Sequence, residues 1–409
     1  MSNYRYLARS LAFLPPIFLL AATIGAISCK SPYSTSSSGS ASPTSTSTVT
    51  AGGFAYVTNR DSGYISEFKR NLTTGVLKYN ARIAAGATGS SGGPLGIAIT
   101  QNNQFLYACN SQDGNIYQYT VGSDGTLTPM TPPSVPNGSK TVPDQVLTLS
   151  SSGTPTWLFV TNSGTGTVSA YPISSSGPLG TAVTTTGFRV PFGMAINASG
   201  TVLYVSDNAS GLIYSLGFNS KTGALSNLAL SPINSQGSYG GNPANLALSP
   251  LFTTVSGTGA LLLAGDSNPN TTLISLFFAP STGTGVLTGF TPGVPGSQAA
   301  IGTAWAGTGV ALSANNGNGT AGSGSITSYI VSGNTLITGV SINPVNGPVS
   351  IVVDPQVQFA YSTNIADGTI SQYPIGIECT TGAAICPASN IIASDKVSRP
   401  GPYGMVLSN

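Results

Sequence analysis

AYVTNRDSGYISEFKRNLTTGVL, residues 55–77, is the stretch on which the fold turns. Phe54, Tyr56 and Thr58 alternate with Ala55 and Val57 in a short run of β-favouring residues. Asn59 to Gly63 has turn chemistry, Tyr64 to Phe68 is a second alternating run, and Asn71 to Gly75 is a second turn. Val76-Leu77 opens a third run. Short strands separated by Gly, Asn, Asp and Ser describe an antiparallel meander.

The unit recurs along the chain. The place of Tyr56 is taken by Tyr107 (FLYACN), Phe159 (LFVTN), Tyr204 (LYVSDN), Leu262 (LLLAGD), Ala311 (VALSAN) and Tyr361 (FAYSTN). A second run follows each, as at Ile116 to Tyr119 and Val168 to Tyr171. Gly-x-Leu then opens a third run at Gly125, Gly177, Gly223 and Gly285, and less cleanly at Asn334-Leu336. From the second unit on, another strand precedes the Tyr position, often led by Pro, as at Pro94, Pro143, Pro191, Pro243 and Pro348. The first unit lacks that strand, and Pro402 to Leu407 matches it at the other end of the chain. Seven four-stranded units with the first completed by the last strand predict an all-β seven-bladed propeller over residues 52–409. Such a ring leaves no open edge. A β-solenoid has shorter repeats and needs no exchange between its ends.

Composition narrows the chemistry. The 409 residues include 52 Gly and 28 Pro, and only 6% are charged, against about 25% in ordinary globular domains. Hydrophobic residues at 40% suffice for a large core. Of the formal charge of +2, Arg5 and Arg9 lie in an expected leader, so the rest is balanced. Nothing forms a basic stripe, which argues against nucleic acid as a partner. The chain has no histidine. That excludes a Ser-His-Asp triad, a Cys-His pair and any His-bearing zinc site. Scattered Asp residues and the absence of a CxxC motif give no metal site and no cofactor site.

Arg5 and Arg9 precede an apolar run, Leu11 to Ile24, broken by Pro15-Pro16 and too short for a comfortable membrane span. Ala26-Ile27-Ser28-Cys29 follows and resembles the lipobox of bacterial lipoproteins, with Ala26 where Leu is usual. The resemblance implies a signal peptide over residues 1–28 and lipidation of Cys29. An ordinary secretory signal cleaved nearby is the other reading. Lys30 in place of Asp implies outer-membrane anchoring, periplasmic or surface exposed. Residues 29–51 are Ser/Thr-rich and form an expected flexible tether, so the membrane is an expected partner through the lipid. Cys379 and Cys386 flank a turn segment in the last unit and are a disulfide candidate in an exported protein. Cys109 lies within a strand and is expected to be a buried free thiol.

In an antiparallel blade, the start of the innermost strand and the loop between the second and third strands share one face. Asp144, Arg189 and Arg399 fall there at strand starts. Asp61, Asp113, Asp207, Asp266 and Asp367 fall there in loops, where Asp before Gly is ordinary turn chemistry. An Arg at the channel mouth suits a carboxylate or phosphate, or caps a carbonyl locally. The Gly/Asn loop of the sixth unit, residues 315–324, shares this face and is expected to be mobile, covering the channel or touching a partner.

AYVTN, FVTN, YVSDN and YSTN, each followed by G-x-I/V-x-x-Y/F or a close variant, resemble the YVTN-repeat propellers. More closely they resemble the lactonase-like seven-bladed group that includes 6-phosphogluconolactonase and carboxymuconate cyclase. The resemblance covers residues 52–409. It implies His after the Pro of innermost strands, with Arg and Glu nearby. Those positions here are Leu95, Asp144, Phe192, Ala244, Val349 and Tyr403, and Asp144-Gln145 stands where a His-Gln pair is implied. Two functional readings stay open. One is a membrane-tethered extracytoplasmic module that binds or scaffolds in the cell envelope. The alternative is a lactonase-like hydrolase using Asp144, Arg189 and Arg399 as catalytic candidates.

Overall fold

In the computed structural model, residues 52–408 are described apart from 90–91, 236–240, 251, 255–256, 269–272, 282–283, 296–298, 319–321, 333–334, 377–383 and 398–400. The leader and tether, with Cys29, lie outside the described residues.

Strand Gly53–Asn59 pairs with Tyr64–Arg70, which pairs with Leu77–Ala84, all antiparallel. The fourth strand of this sheet is Pro402–Leu407, placing Tyr56 opposite Val406. Six further sheets follow in chain order, each with four strands on its main path; the fourth and fifth carry one short extra strand. The chain is therefore a seven-bladed propeller closed by its last strand, as the repeats predict.

Each blade is covered on both faces by its neighbours, so its second strand is buried throughout. Ala55, Tyr56 and Val57 are all fully buried. Alternation now sorts residues between two neighbours instead of between core and water. Tyr56 packs with Leu106, Ala108 and Tyr119 of the second blade. Ala55 and Val57 pack with Tyr361 and Ile370 of the seventh. Seven apolar clusters result, one at each interface between blades.

The two repeat motifs meet in a single hydrogen bond. The hydroxyl of Tyr56 donates to the carbonyl of Gly125 in the next blade, at 3.0 Å. Tyr107 does the same to Gly177 (2.6 Å), Tyr204 to Gly285 (2.8 Å) and Tyr361 to Gly75 (2.6 Å). These are the glycines of the Gly-x-Leu turns, or of the Gly-Val-Leu turn in the first blade. Each has positive φ, and a Cβ on Gly125 or Gly75 would strike a phenylalanine ring of the preceding blade. Phe159 has no hydroxyl, and there the indole of Trp157 donates to Ser220 instead, at 3.1 Å.

Across the strand pair from these tyrosines stand Glu67, Gln118, Ser215 and Gln372. Gln118 accepts the Leu179 N–H of the next blade, and Gln372 donates to Thr74 O. Glu67 fills the same place as a buried acid. Burial pushes its carboxyl up to about 7, against the pull of the Leu127 N–H and with Asp124 adding to the rise. Its Oε2 has no hydrogen-bond partner.

The seam between the seventh and first blades holds two of the three ion pairs found among the described residues. Arg70 meets Asp354, both side chains fully buried, and also donates to Ser408 O at 3.2 Å. Arg82 meets Asp395 at 3.3 Å. Ser408 in turn bonds Phe54 through both its hydroxyl and its N–H. In the seventh blade a longer loop replaces Gly-x-Leu: Ile385 bridges Ile375, and Cys386 is disulfide-bonded. Its expected partner Cys379 lies outside the described residues, as do residues 319–321 of the sixth-unit loop. Cys109 is a buried free thiol.

Seven innermost strands ring the axis: Pro402–Leu407, Pro94–Ile99, Pro143–Ser151, Pro191–Ile196, Pro243–Leu248, Ala300–Ala306 and Pro348–Val353. All but one start on Pro, which cannot donate to a ladder and suits a strand start. Ala300–Ala306 lacks that mark, and the repeat pattern did not locate it. Each ladder shifts register just after its first residue or one residue later. The shift aims the next side chains at the channel.

Candidate functional site

The Thr of the repeat motif fixes the channel wall. Thr58 Oγ1 donates to Leu95 O at 2.6 Å and accepts the Gly404 N–H at 2.9 Å. Thr161, Ser206 and Thr363 hold Phe192 O, Ala244 O and Tyr403 O in the same way, at 2.6–2.8 Å. These four blades thus grip the residue after the Pro of their successors. In the second blade Cys109 replaces Thr and donates to Pro143 O at 3.5 Å, one residue earlier.

At the strand starts these walls enclose a cavity of about 410 Å3, to which every blade contributes. Ile97, Asp144, Phe192, Asn245, Thr303, Ser350 and Tyr403 represent the seven. Asp144 is its one charged lining residue among those described. Asp144 is the residue skipped by the ladder between Pro143 and Gln145. It is half-buried, yet its Oδ2 is shut from solvent and has no hydrogen-bond partner. Burial raises its carboxyl to about 6, with nearby Ser163 pulling the other way.

Gln145 locks the adjacent wall. Its Oε1 accepts the Met194 N–H, and its Nε2 donates to Asn245 Oδ1 at 2.8 Å, joining three consecutive blades. Asn245 Oδ1 also accepts the Leu246 N–H. Its amide N–H groups carry no partner among the described residues and are free to donate to a ligand.

Tyr403 comes from the closing strand. Burial, then the charge of Asp144, hold its phenol far above the ordinary range, while Arg60 opposes. It is a hydrogen-bond donor at any physiological pH. Cys109 is likewise kept protonated by burial and by Asp144, so it is no nucleophile. Arg60 itself pairs with Asp61 at 2.7 Å at the surface.

Of the three catalytic candidates, Asp144 alone is placed in the cavity, and of the other strand-entry positions Phe192, Val349 and Tyr403 line it too. Arg189 is exposed and does not line it; its N–H, with that of Val190, is bound by Asp207 at 2.8 Å. Arg399 lies outside the described residues. The loop carboxylates serve turns: Asp113 accepts Ala87 N–H and Tyr117 hydroxyl, Asp266 accepts Asn242 N–H, and Asp367 accepts Thr369 N–H. Sequence reasoning named Gln145 and Tyr403 only as strand-entry positions, without a role, and passed over Asn245. Their common signal is position: each stands one or two residues after the Pro of an innermost strand. No group of three or more acidic or Cys side chains that could hold a metal ion occurs among the described residues.

Fold and channel define a seven-bladed β-propeller. The profile of the family described as "Lactonase, 7-bladed beta-propeller" matches residues 54–190, the first three blades. A presumed 6-phosphogluconolactonase from Bacteroides fragilis superposes with a TM-score of 0.69 at 14% identity, covering 89% of this chain and 99% of its own. A Lactobacillus plantarum protein gives 0.65 at 17% identity, covering 87% and 100%. The periplasmic gluconolactonase of Pseudomonas aeruginosa gives 0.63 at 13% identity, covering 87% and 99%. At such identities the likeness is one of fold. No curated protein matches the sequence.

Proposed function

We propose that the protein is a hydrolase of small neutral lactones, working at the polar end of its central channel. The observation that carries this reading is Asp144: a desolvated carboxyl, raised to about 6, in a cavity whose other described lining residues are uncharged. A carboxylate with that pKa is ionised at neutral pH and basic enough to take a proton from water. Water held by Asp144 attacks the lactone carbonyl. A carbon–oxygen bond forms, the water proton passes to Asp144, and charge develops on the carbonyl oxygen. The Tyr403 hydroxyl and Asn245 amide are the donors for that oxygen. Collapse breaks the ring ester bond, and the proton returns from Asp144 to the ring oxygen, giving a hydroxy acid. Lactone ring opening is the activity named for the Pseudomonas aeruginosa neighbour. A carboxylate as the sole charge among the described lining residues disfavours phosphorylated substrates here.

The reading places this activity outside the cytoplasm, anchored through a lipid on Cys29. The leader sequence supports export, and the disulfide at Cys386 fits an oxidising compartment. Metabolic labelling with a palmitate analogue tests the anchor: label on the native chain and none on Cys29→Ser supports it, and an unlabelled native chain removes it.

Hydrolysis of a lactone panel tests the activity. Turnover by the native protein, lost by at least about a hundredfold in Asp144→Asn, is expected from the usual contribution of general acid–base catalysis. No turnover on the panel leaves a binding module without catalysis.

A further inference from the structure

The channel changes character along its length, and the change falls on the side that carries Asp144 and Tyr403. Beyond the polar cavity lies a second space of about 430 Å3, formed by the first, second, third and seventh blades. The two spaces are continuous, sharing Ile97, Val146, Leu147, Val352, Val353 and Met405. Its other lining side chains are equally apolar, with one exception, Thr148, whose hydroxyl is spent on Ile99 O at 3.0 Å; the polar part of its surface comes chiefly from main-chain groups of the strands. No side chain there offers a free polar group.

Strand register fixes how the two spaces relate. Asp144 and Tyr403 open the strands Pro143–Ser151 and Pro402–Leu407, whose later residues, Thr148 and Leu407, line the apolar space. Four residues of strand separate Asp144 from Thr148, and four separate Tyr403 from Leu407, about 13 Å in each case. A ligand with its carbonyl at Asp144 therefore has, directly along the same wall, an apolar track.

We propose that this track receives the alkyl tail of the substrate, so that the protein selects lactones bearing a medium-length saturated chain. The inference rests on the hydrolase reading for the ring at Asp144, but the track itself is a binding feature separable from catalysis. Sugar lactones, polar all round, would leave the track wetted and gain nothing from it. An alkyl tail gains the transfer free energy of each methylene it buries, provided the wall stays apolar.

The experiment uses the unsubstituted homologous series from γ-hexalactone to γ-dodecalactone with the full chain. Binding is measured by calorimetry in Asp144→Asn, to prevent turnover, and kcat/KM is measured in the native protein. Affinity is expected to rise by roughly fourfold per added methylene until the track is filled. In Val406→Thr, close in volume, still β-branched and lining the second space alone, the increment per methylene shrinks while affinity for the shortest homologue is kept. Unchanged thermal unfolding certifies that this variant is folded. Affinity that does not depend on tail length overturns the proposal, even if every homologue is hydrolysed. Length-dependent binding with no hydrolysis of any homologue sustains the track and sinks the hydrolase reading instead.

Discussion

The guanidinium of Arg70 stands 3.3 Å from the carboxylate of Asp354, and neither side chain touches solvent. They come from the first and seventh blades. Asp354 also accepts the N–H groups of Gln358 and Phe359, both at 2.7 Å. In a chain this poor in charge, a buried pair sits where the ring closes. Taking away one member leaves the other charged and unpaired in the interior. Asp354→Ala is expected to lower stability by about 3–5 kcal/mol in urea unfolding. Asp61→Ala, which breaks the exposed pair with Arg60, should cost no more than about 1 kcal/mol. Equal effects would show that the seam pair is not what holds the closure.

The tyrosine-to-glycine bonds predict a second measurement. Tyr107→Phe keeps the ring that fills the core between the second and third blades and removes only the bond to Gly177 O. A loss of about 1–2 kcal/mol is expected, because a buried carbonyl is left without its donor. A stability equal to native would assign the tyrosine to packing alone.

Glu67 predicts a pH effect. Its carboxyl moves from an ordinary value of 4.5 to about 7 on folding, chiefly through burial. The folded protein therefore holds a proton that the unfolded chain has lost over that interval. The contribution of Glu67 is complete below about 4.5 and declines as pH rises through about 7. Glu67→Gln places there the amide that Gln118 and Gln372 already supply, and should flatten this part of the stability profile. Its benefit should be greatest above about pH 7. A native profile already flat over this range would contradict the assignment.

Asp144 predicts the pH dependence of turnover. The base is the carboxylate, so kcat/KM for a neutral lactone should rise with pH through about 6 and then level. A rate that falls as pH rises through that value would mean the protonated acid is the working form.

The ring was legible in the sequence because its two motifs are two ends of one contact. A Tyr in YVTN needs a Gly carbonyl one blade on, and both recur at the same interval. Closure was legible because Pro402 to Leu407 repeats Pro191 to Ile196 closely. The innermost strand Ala300–Ala306 was not, since it lacks the Pro that marks the others. Of the site, Asp144 was legible as chemistry, and Gln145 and Tyr403 only as positions at strand entries. Arg189 has the right place in the chain, but its side chain is exposed and only its N–H is engaged, by Asp207. Asn245 and Tyr403 are common residue types in this chain, and they gain meaning only when seven strand starts converge. Glu67 reads as one of a few surface charges until the blades stack over it.

Tyr403 belongs both to the strand that shuts the ring and to the wall beside Asp144. A nascent chain still lacking Pro402–Leu407 has no closed channel, because one side of it is missing until that strand arrives. A molecule interrupted before that strand would carry Asp144 without the wall that Tyr403 completes beside it.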